Sequence, residues 1–510
     1  MMSEWSAGYN VDIGYTYGFY REIAPNWLDF CARIQGVAPP RGEWRYLELG
    51  CGQGVGLTLL AALNPAHEFV GVDFNPLHIA HARNLATAAG VSNVRFEEAD
   101  FVELGRGWPC EWGRFDYVTA HGIYSWLAKS VRNGLVGTID KATNPGALVY
   151  ISYNTLPGWI ATYPVQHLLR LWQTNEEMPS FKAIETGLQR LKALQDAETG
   201  MTEMLPGMRV RLERMASLDR SYLVQEYLHD SWHPLWFDEV ANELANAKLN
   251  YVGTASIADI YAPQLLPQNR KDILAQYQSP IVRQVMFDVL VNQSFRRDIF
   301  ARGSQQMWTG EQRRELSATT FTLSKRPKPD EITFRLSIGE VSGKPDVYNP
   351  LFDALEGGPK TLEQLLAPSA PNPRGFAATL QAVALMLSAG HIALLHPVAD
   401  DEAIRRLNHA IAAAVSEGAP YGYLVGAKTG AVVNTSDLEM LLFVFTLDGP
   451  EMDIDTMTGK VVDRLLMLGK ALVQDGKPLS SREAMLPRAR VIAEEFVLHT
   501  MPRWRSLGIF

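Results

Sequence analysis

Tyr46-Leu47-Glu48-Leu49-Gly50-Cys51-Gly52-Gln53-Gly54 is the stretch on which the reading of this chain turns. Apolar residues run into an acid, then into three glycines at alternate positions, then into the helix-like apolar pattern of residues 55–63. This predicts a buried strand, a tight turn and a helix N-terminus. Glycine has no Cβ to hold a ligand off, and the free N–H groups of a helix start favour an anionic group. Spacing narrows the ligand. A dinucleotide fingerprint needs Gly-x-Gly-x-x-Gly; counted from Gly50 its third glycine falls on Val55, and counted from Gly52 on Leu57. Neither register works.

The pattern that is present, acid-x-Gly-x-Gly-x-Gly over Glu48, Gly50, Gly52 and Gly54, resembles the first motif of class I S-adenosylmethionine-dependent methyltransferases. A lone glycine turn is weak evidence, so the following strands must carry the rest. Glu68-Phe69-Val70-Gly71-Val72-Asp73 is a second apolar strand ending in an acid, with Phe74 after it. A carboxylate there can take both hydroxyls of a ribose. Asn75-Pro76 then reads as an N-cap with proline at the first helical position. The third strand, Val94-Arg95-Phe96-Glu97-Glu98-Ala99-Asp100-Phe101, again ends in an acid. The resemblance implies that Asp100 faces the adenine amino group and that the N–H of Phe101 faces the ring. Any one acid could be a solvated strand end; three in order favour a binding series for S-adenosylmethionine.

A chain of 510 residues with 47% hydrophobic and 20% charged content is expected to divide into two to four soluble globular units. Its formal charge of -9 gives no general attraction to nucleic acid or to anionic membranes. Cys31, Cys51 and Cys110 lack metal-ligand spacing, and their odd number argues against a disulfide framework. Neither a signal peptide nor a membrane span is read, and a cytoplasmic location is expected.

Residues 1–40 are crowded with aromatics, among them Tyr9, Tyr15, Tyr17, Phe19, Tyr20 and Trp27. A helix over residues 20–34 would pack this stripe on the sheet, and Tyr17, in the loop-like part before it, is the expected flap residue over a bound nucleoside. From 44 to 153 short apolar runs alternate with helix-period runs, which implies βαβ units and a parallel sheet covered on both faces. The fourth strand, Phe115-Asp116-Tyr117-Val118-Thr119-Ala120, runs into His121-Gly122-Ile123-Tyr124-Ser125-Trp126. The fifth, Ala147-Leu148-Val149-Tyr150-Ile151-Ser152, runs into Tyr153-Asn154-Thr155-Leu156-Pro157-Gly158-Trp159. In an open α/β sheet ligands bind outside the carboxyl ends of the strands, so both clusters stand where a methyl group must be delivered.

Together with Phe295-Arg296-Arg297-Asp298-Ile299-Phe300, these clusters resemble bacterial methyltransferases that carry a methyltransferase regulatory domain. That group includes rickettsial protein-lysine methyltransferases. The likeness runs to about Gly303 and loosens beyond. It implies a Rossmann-like α/β sheet with a helical middle domain and an α+β C-terminal domain. The expected division is 1–160 for cofactor binding, 161–325 for the helical middle and 340–510 for the C-terminal part, with 220–255 completing the sheet through a helix near 235–247 and a strand at 249–253.

Helices over 160–220 would wall the acceptor site, buttress the sheet or form a homodimer surface. Residues 255–325 read as mostly helical, and the run from Phe295 to Arg302 as ion pairs at an interface or as a phosphate or acidic-substrate site. Residues 324–330 read as a linker. Helices and a strand near 351–395 resemble a winged-helix module, but the third helix has only Arg374 near its start, which does not support DNA reading. His229 and His233 have i,i+4 spacing without a third ligand, so no metal is assigned.

Methyl transfer from a sulfonium needs positioning, exclusion of water and, for an amine, a neutral nucleophile. The candidates for this work are His121, Tyr124, Trp126 and Tyr153, with Trp159 beside them; the cofactor-binding set is Tyr17, Glu48, Gly50, Gly52, Gly54, Asp73, Phe74, Asp100, Phe101 and His121. The expected acceptor is a protein lysine, the alternatives being a glycan or small metabolite, or a cofactor-binding regulator without turnover.

Overall fold

The computed structural model describes residues 17–510 apart from 329–330, 367–374, 397, 399, 450–452 and 475–476. Tyr9, Tyr15 and Arg374, and the end of the expected linker, lie outside the described residues. The first helix, α1 (Pro25–Ile34), leads to a seven-stranded sheet. Its strands are β1 (Arg45–Leu49), β2 (Glu68–Asp73), β3 (Val94–Glu98), β4 (Phe115–Ala120), β5 (Thr143–Asn154), β6 (Leu249–Thr254) and β7 (Phe295–Arg302), in the order β3-β2-β1-β4-β5-β7-β6. The pairs from β3 to β5 are parallel, and β7 runs antiparallel to both β5 and β6.

Alternate residues of each strand enter opposite cores, as the period of two requires. Tyr46 packs with Phe69 and Tyr117 on one face, and Leu47 and Leu49 pack with Val70, Val72 and Val118 on the other. Both faces are covered, which is why these strands read as nearly continuous apolar runs. The connecting helices are α2 (Val55–Leu63), α3 (Pro76–Ala89), α4 (Phe101–Arg106) and α5 (Lys129–Ala142). Asn75 caps α3 as expected, its side chain accepting from Leu77 N–H, with Pro76 at the first position. Between α4 and α5 glycines allow backbone contact: a Cβ on Gly134 would lie 2.7 Å from Val102 Cα.

The expectation of helix over 255–325 fails at β7, which inserts between β5 and β6. Its period of two is masked by charge. Arg296 and Asp298 are both buried. Arg296 donates from Nη1 to Asp288 at 2.7 Å and from Nε to Asp298 at 2.8 Å, while Tyr153 donates its hydroxyl to Asp298 at 2.7 Å. Buried charges are tolerated when paired and hydrogen-bonded, so a charged run read as helix is interior strand, with Arg296 in ion pairs as one of its readings expected. The sheet is thus completed by β6, within 220–255, and by β7, beyond it.

Between β5 and β6 lie α6 (Tyr163–Asn175), α7 (Ser180–Asp196), α8 (Gly200–Met204), α9 (Pro206–Ala216), α10 (Arg220–Tyr227) and α11 (Phe237–Ala245). Of these, α6, α7, α9 and α10 share a core of Val165, Leu169, Ile184, Met208, Leu223 and Tyr227 with Trp126 and Trp159 from the sheet's upper edge. This sets the helical insertion over the carboxyl ends of β4 and β5. After β7, the strand Thr320–Leu323 pairs with Lys360–Thr361 and Ile392–Leu394, and the helix Phe376–Ser388 joins the core that holds α1. Residues 401–510 form a second, largely helical core that reaches Val55, Leu59 and Leu63 of α2 and Leu85 of α3. The described residues contain no helix long and apolar enough to cross a membrane.

Candidate active site

Strand order reverses between β1 and β4, and the glycine turn sits at that switch point. Gly50, Gly52 and Gly54 have φ of 77°, 52° and 73°, in the left-handed region that L side chains rarely adopt. Space is short as well: a Cβ on Gly50 would lie 2.8 Å from Ile123 Cγ2, and one on Gly54 2.8 Å from Phe96 Cε1. The turn is braced from β2. Gly50 and Cys51 donate to Val72 O at 2.7 and 3.0 Å, and Gly52 donates to Asp73 Oδ2 at 2.9 Å. The other oxygen of Asp73 accepts from Asn75 N–H at 2.9 Å and meets His78 Nδ1 at 3.2 Å. No side chain among the described residues caps α2, so its first N–H groups are available to an anionic end of a ligand.

A small cleft lined by Glu48, Gly50, Gly52, Gly54, Gly56 and His121 is closed by Gly18 and Tyr20, leaving about 30 Å³. That is room for about one water. Burial, with Asp73 beside it, pushes the Glu48 carboxyl up to about 8. Tyr20 stacks on His121 with ring centroids 3.7 Å apart.

His121 also lines a second cavity, of about 380 Å³, enclosed by Trp126, Asn154, Trp159, Glu226, Phe295 and Arg297 among others. His121 Nδ1 meets Tyr150 Oη at 2.9 Å and Ser152 Oγ at 3.3 Å. Burial and the Arg297 charge hold this imidazole down at about 3, so it is neutral. Glu226, on α10, accepts from Asn154 Nδ2 at 2.7 Å and from the Tyr222 hydroxyl at 3.1 Å. Burial outweighs these bonds and pushes its carboxyl up to about 7. Two joined spaces result, one floored by glycine backbone and one walled by aromatics around a carboxyl that titrates near neutrality.

A family model described as a methyltransferase domain matches residues 41–197, and one described as a predicted methyltransferase regulatory domain matches 219–302. An uncharacterised Synechocystis protein, sll1526, is 33% identical over 99% of this chain and 99% of its own length. The chain belongs to the class I S-adenosylmethionine-dependent methyltransferases. Rickettsia prowazekii RP789 is 27% identical over 54% of this chain and 49% of its own. The structure of PKMT2 from Rickettsia typhi in complex with AdoHcy covers 97% of this chain and 99% of that one, at a TM-score of 0.69 and 18% identity, and so shares the fold.

The regulatory segment of this methyltransferase is not a separate body. Residues 219–302 supply α10, α11, β6 and β7, and hence both the edge of the sheet and Glu226, Phe295 and Arg297 of the cavity.

Of the residues expected at the cofactor, Glu48, Gly50, Gly52, Gly54 and His121 line the glycine cleft. Asp73 is buried behind the turn and acts on it through Gly52 N–H. Phe74 follows β2 and is half-buried. Asp100 caps α4, accepting from Val102 and Glu103 N–H at 2.7 and 3.1 Å, and the Phe101 side chain enters the core beneath the sheet. Tyr17 packs edge-on against His81 and Tyr421, at 5.2 and 5.8 Å, so the aromatic over the cleft is Tyr20, three residues on.

Of those expected at the methyl acceptor, His121 and Trp126 line the larger cavity of this methyltransferase, as does Trp159. Tyr124 and Tyr153 lie instead in the core, where the Tyr124 hydroxyl donates to Glu243 at 2.6 Å and that of Tyr153 to Asp298. Tyr153 differs from Ser152 and Asn154 because side chains alternate along β5, and Tyr124 differs from Trp126 because both stand in one 3₁₀ turn, Tyr124–Trp126, whose successive side chains point in different directions. His229 and His233 fall beyond the end of α10, so their spacing is not helical. Sequence reasoning passed over Tyr20, Asn154, Glu226 and Arg211 as site residues. Glu226 left one signal: it is an acid inside the apolar run from Leu223 to Leu228.

Proposed function

We propose that this enzyme methylates the ε-amine of a protein lysine. The reading rests on Glu226, a buried carboxyl that titrates near neutrality in the aromatic cavity beside the glycine cleft. The residues present fit the cofactor: Gly50, Gly52 and Gly54 with the uncapped start of α2 would hold its amino-acid end. S-adenosylmethionine supplies an electrophilic methyl group to such a site.

A lysine enters as an ammonium and must lose a proton before it can act as a nucleophile. Glu226 is the group matched to take it, since a general base works best with a pKa near the working pH. His121, held at about 3, is too weak a base for that role and serves to wall the junction. Trp126, Trp159 and Phe295 keep water from the nucleophile. The likeness in fold to a protein named PKMT2, solved with AdoHcy, agrees with this reading.

The test is methyl transfer from labelled S-adenosylmethionine to a whole-cell lysate, followed by protease or glycosidase treatment and acid hydrolysis. Label released by protease and recovered as methyllysine is expected. Label released by glycosidase, or confined to small molecules, overturns the proposal.

A further inference from the structure

The larger cavity carries a charge pattern that a lysine alone does not explain. Arg211, Arg214 and Arg297 line it, and Glu226 is the one carboxyl among the described lining residues. The two lining histidines, His121 and His229, are held neutral by burial, both at about 3. On a chain of net charge -9 such a cationic lining is a local exception. Arg297 is the most telling of the three. Its guanidinium lies over the Phe295 ring at 4.9 Å, Nη1 reaches Ser256 Oγ only at 3.5 Å, and its buried Nε has no acceptor among the described residues. Buried N–H groups are nearly always paired, so this guanidinium is under-satisfied by the protein, and on its aromatic shelf it lines the cavity as a cation suited to a carboxylate. Arg211 is fixed differently, donating from Nε to the Tyr227 hydroxyl at 2.7 Å and stacking 4.3 Å from the Trp159 ring. Arg214 is exposed at the rim.

Resting on the lysine reading above, we propose that the cavity recognises lysine within an acidic peptide, Arg297 taking the carboxylate of an adjacent Asp or Glu while Arg211 and Arg214 hold further acids at the rim. The cavity, about 380 Å³, accommodates the lysine together with one neighbouring side chain. Selection acts at short range, because fields between exposed charges are screened beyond about 8 Å at physiological ionic strength.

The test uses the full chain with saturating S-adenosylmethionine and peptides carrying one central lysine flanked by Asp and Glu, by Asn and Gln, or by further Lys. Methylation is read by mass spectrometry, and binding of matched peptides with Met in place of the lysine is read by calorimetry with AdoHcy present. Acid-flanked peptides are expected to exceed neutral ones at least tenfold in kcat/KM, chiefly through KM. Arg214→Glu and Arg297→Gln should each reduce that preference at least threefold, in methylation and in binding of the Met peptides alike. Equal kcat/KM for acidic and neutral flanks, with methyllysine still formed, overturns the inference and leaves the lysine reading standing. Absence of methyllysine, with acid-dependent binding that responds to both variants, overturns the lysine reading and leaves the carboxylate site standing. Loss of both signals overturns both.

Discussion

Tyr20 lies on His121 with ring centroids 3.7 Å apart and planes 29° from parallel, at the boundary between the glycine cleft and the aromatic cavity. Both residues line both spaces. The cleft left beneath Tyr20 and Gly18 is about 30 Å³, so the amino-acid end of a ligand seats on the glycine turn only as this segment shifts. An aromatic pair contributes about 0.5–1.5 kcal/mol beyond its burial. Tyr20→Ala is therefore expected to speed AdoHcy association about two- to tenfold, measured by stopped-flow tryptophan fluorescence. An unchanged association rate would show that the stack does not gate entry.

Glu226 is the carboxyl matched to deprotonate the acceptor. Its pKa of about 7 means that activity should rise with pH through neutrality as the carboxylate forms. Glu226→Gln is expected to lower kcat by about 10²-fold or more and to remove the rise near pH 7. A variant that keeps the wild-type pH profile would place the proton elsewhere.

Asp73 holds the glycine turn through Gly52 N–H and the start of α3 through Asn75 N–H. Asparagine would present an NH₂ to one of these donors and leave it unpaired, a loss of about 1–3 kcal/mol. Asp73→Asn should therefore lower both the melting temperature of the apo protein and its affinity for AdoHcy, read by scanning fluorimetry and calorimetry. Lost affinity with an unchanged melting temperature would assign Asp73 to the ligand rather than to the turn.

Glu48 gives a stability signature of definite sign. Its folded pKa, about 8, lies above the ordinary 4.5. Between those values the folded state holds a proton that the unfolded state has released, so unfolding free energy falls as pH rises. Asp29, Glu226 and Asp288, pushed up to about 6, 7 and 7, act in the same direction. His121 and His229, held at about 3 against an ordinary 6.5, act in the opposite direction up to that pH, so urea unfolding from pH 7 to pH 8 is expected to show falling stability, and Glu48→Gln should flatten the slope. Identical slopes for variant and wild type would count against a buried neutral Glu48.

Gly134 lets α5 approach α4 at backbone distance, where a Cβ would lie 2.9 Å from Phe101 O. Gly134→Ala is expected to destabilise by about 1–3 kcal/mol through overpacking, despite alanine's better helix propensity. A gain in denaturation midpoint would refute the contact.

The glycine turn and the strands around it were legible because backbone constraint leaves a spacing that few alternatives share. Three glycines at positive φ, an acid at the end of β2 and Asn75-Pro76 at the start of α3 each follow from local geometry. β7 was hidden because the charges of Arg296 and Asp298 suggest a solvated surface, whereas they are satisfied by each other, by Asp288 and by Tyr153 of β5, a set that only the folded sheet brings together. Tyr124 and Tyr153 were read as cavity walls because proximity to a strand end fixes height above the sheet, not the side to which a ring turns. Glu226 and Arg211 lie on helices whose docking over the sheet is set by packing around Trp126 and Trp159.

The pairing of Asn154 with Phe295 closes a long circuit of chain. A ribosome that has made β5 must still deliver the entire helical insertion before β7 exists to cover its open edge, and bare strand edges template aggregation. Truncations ending before residue 295 would thus be expected to yield insoluble material, and recombinant expression should benefit from slow synthesis or chaperone supply.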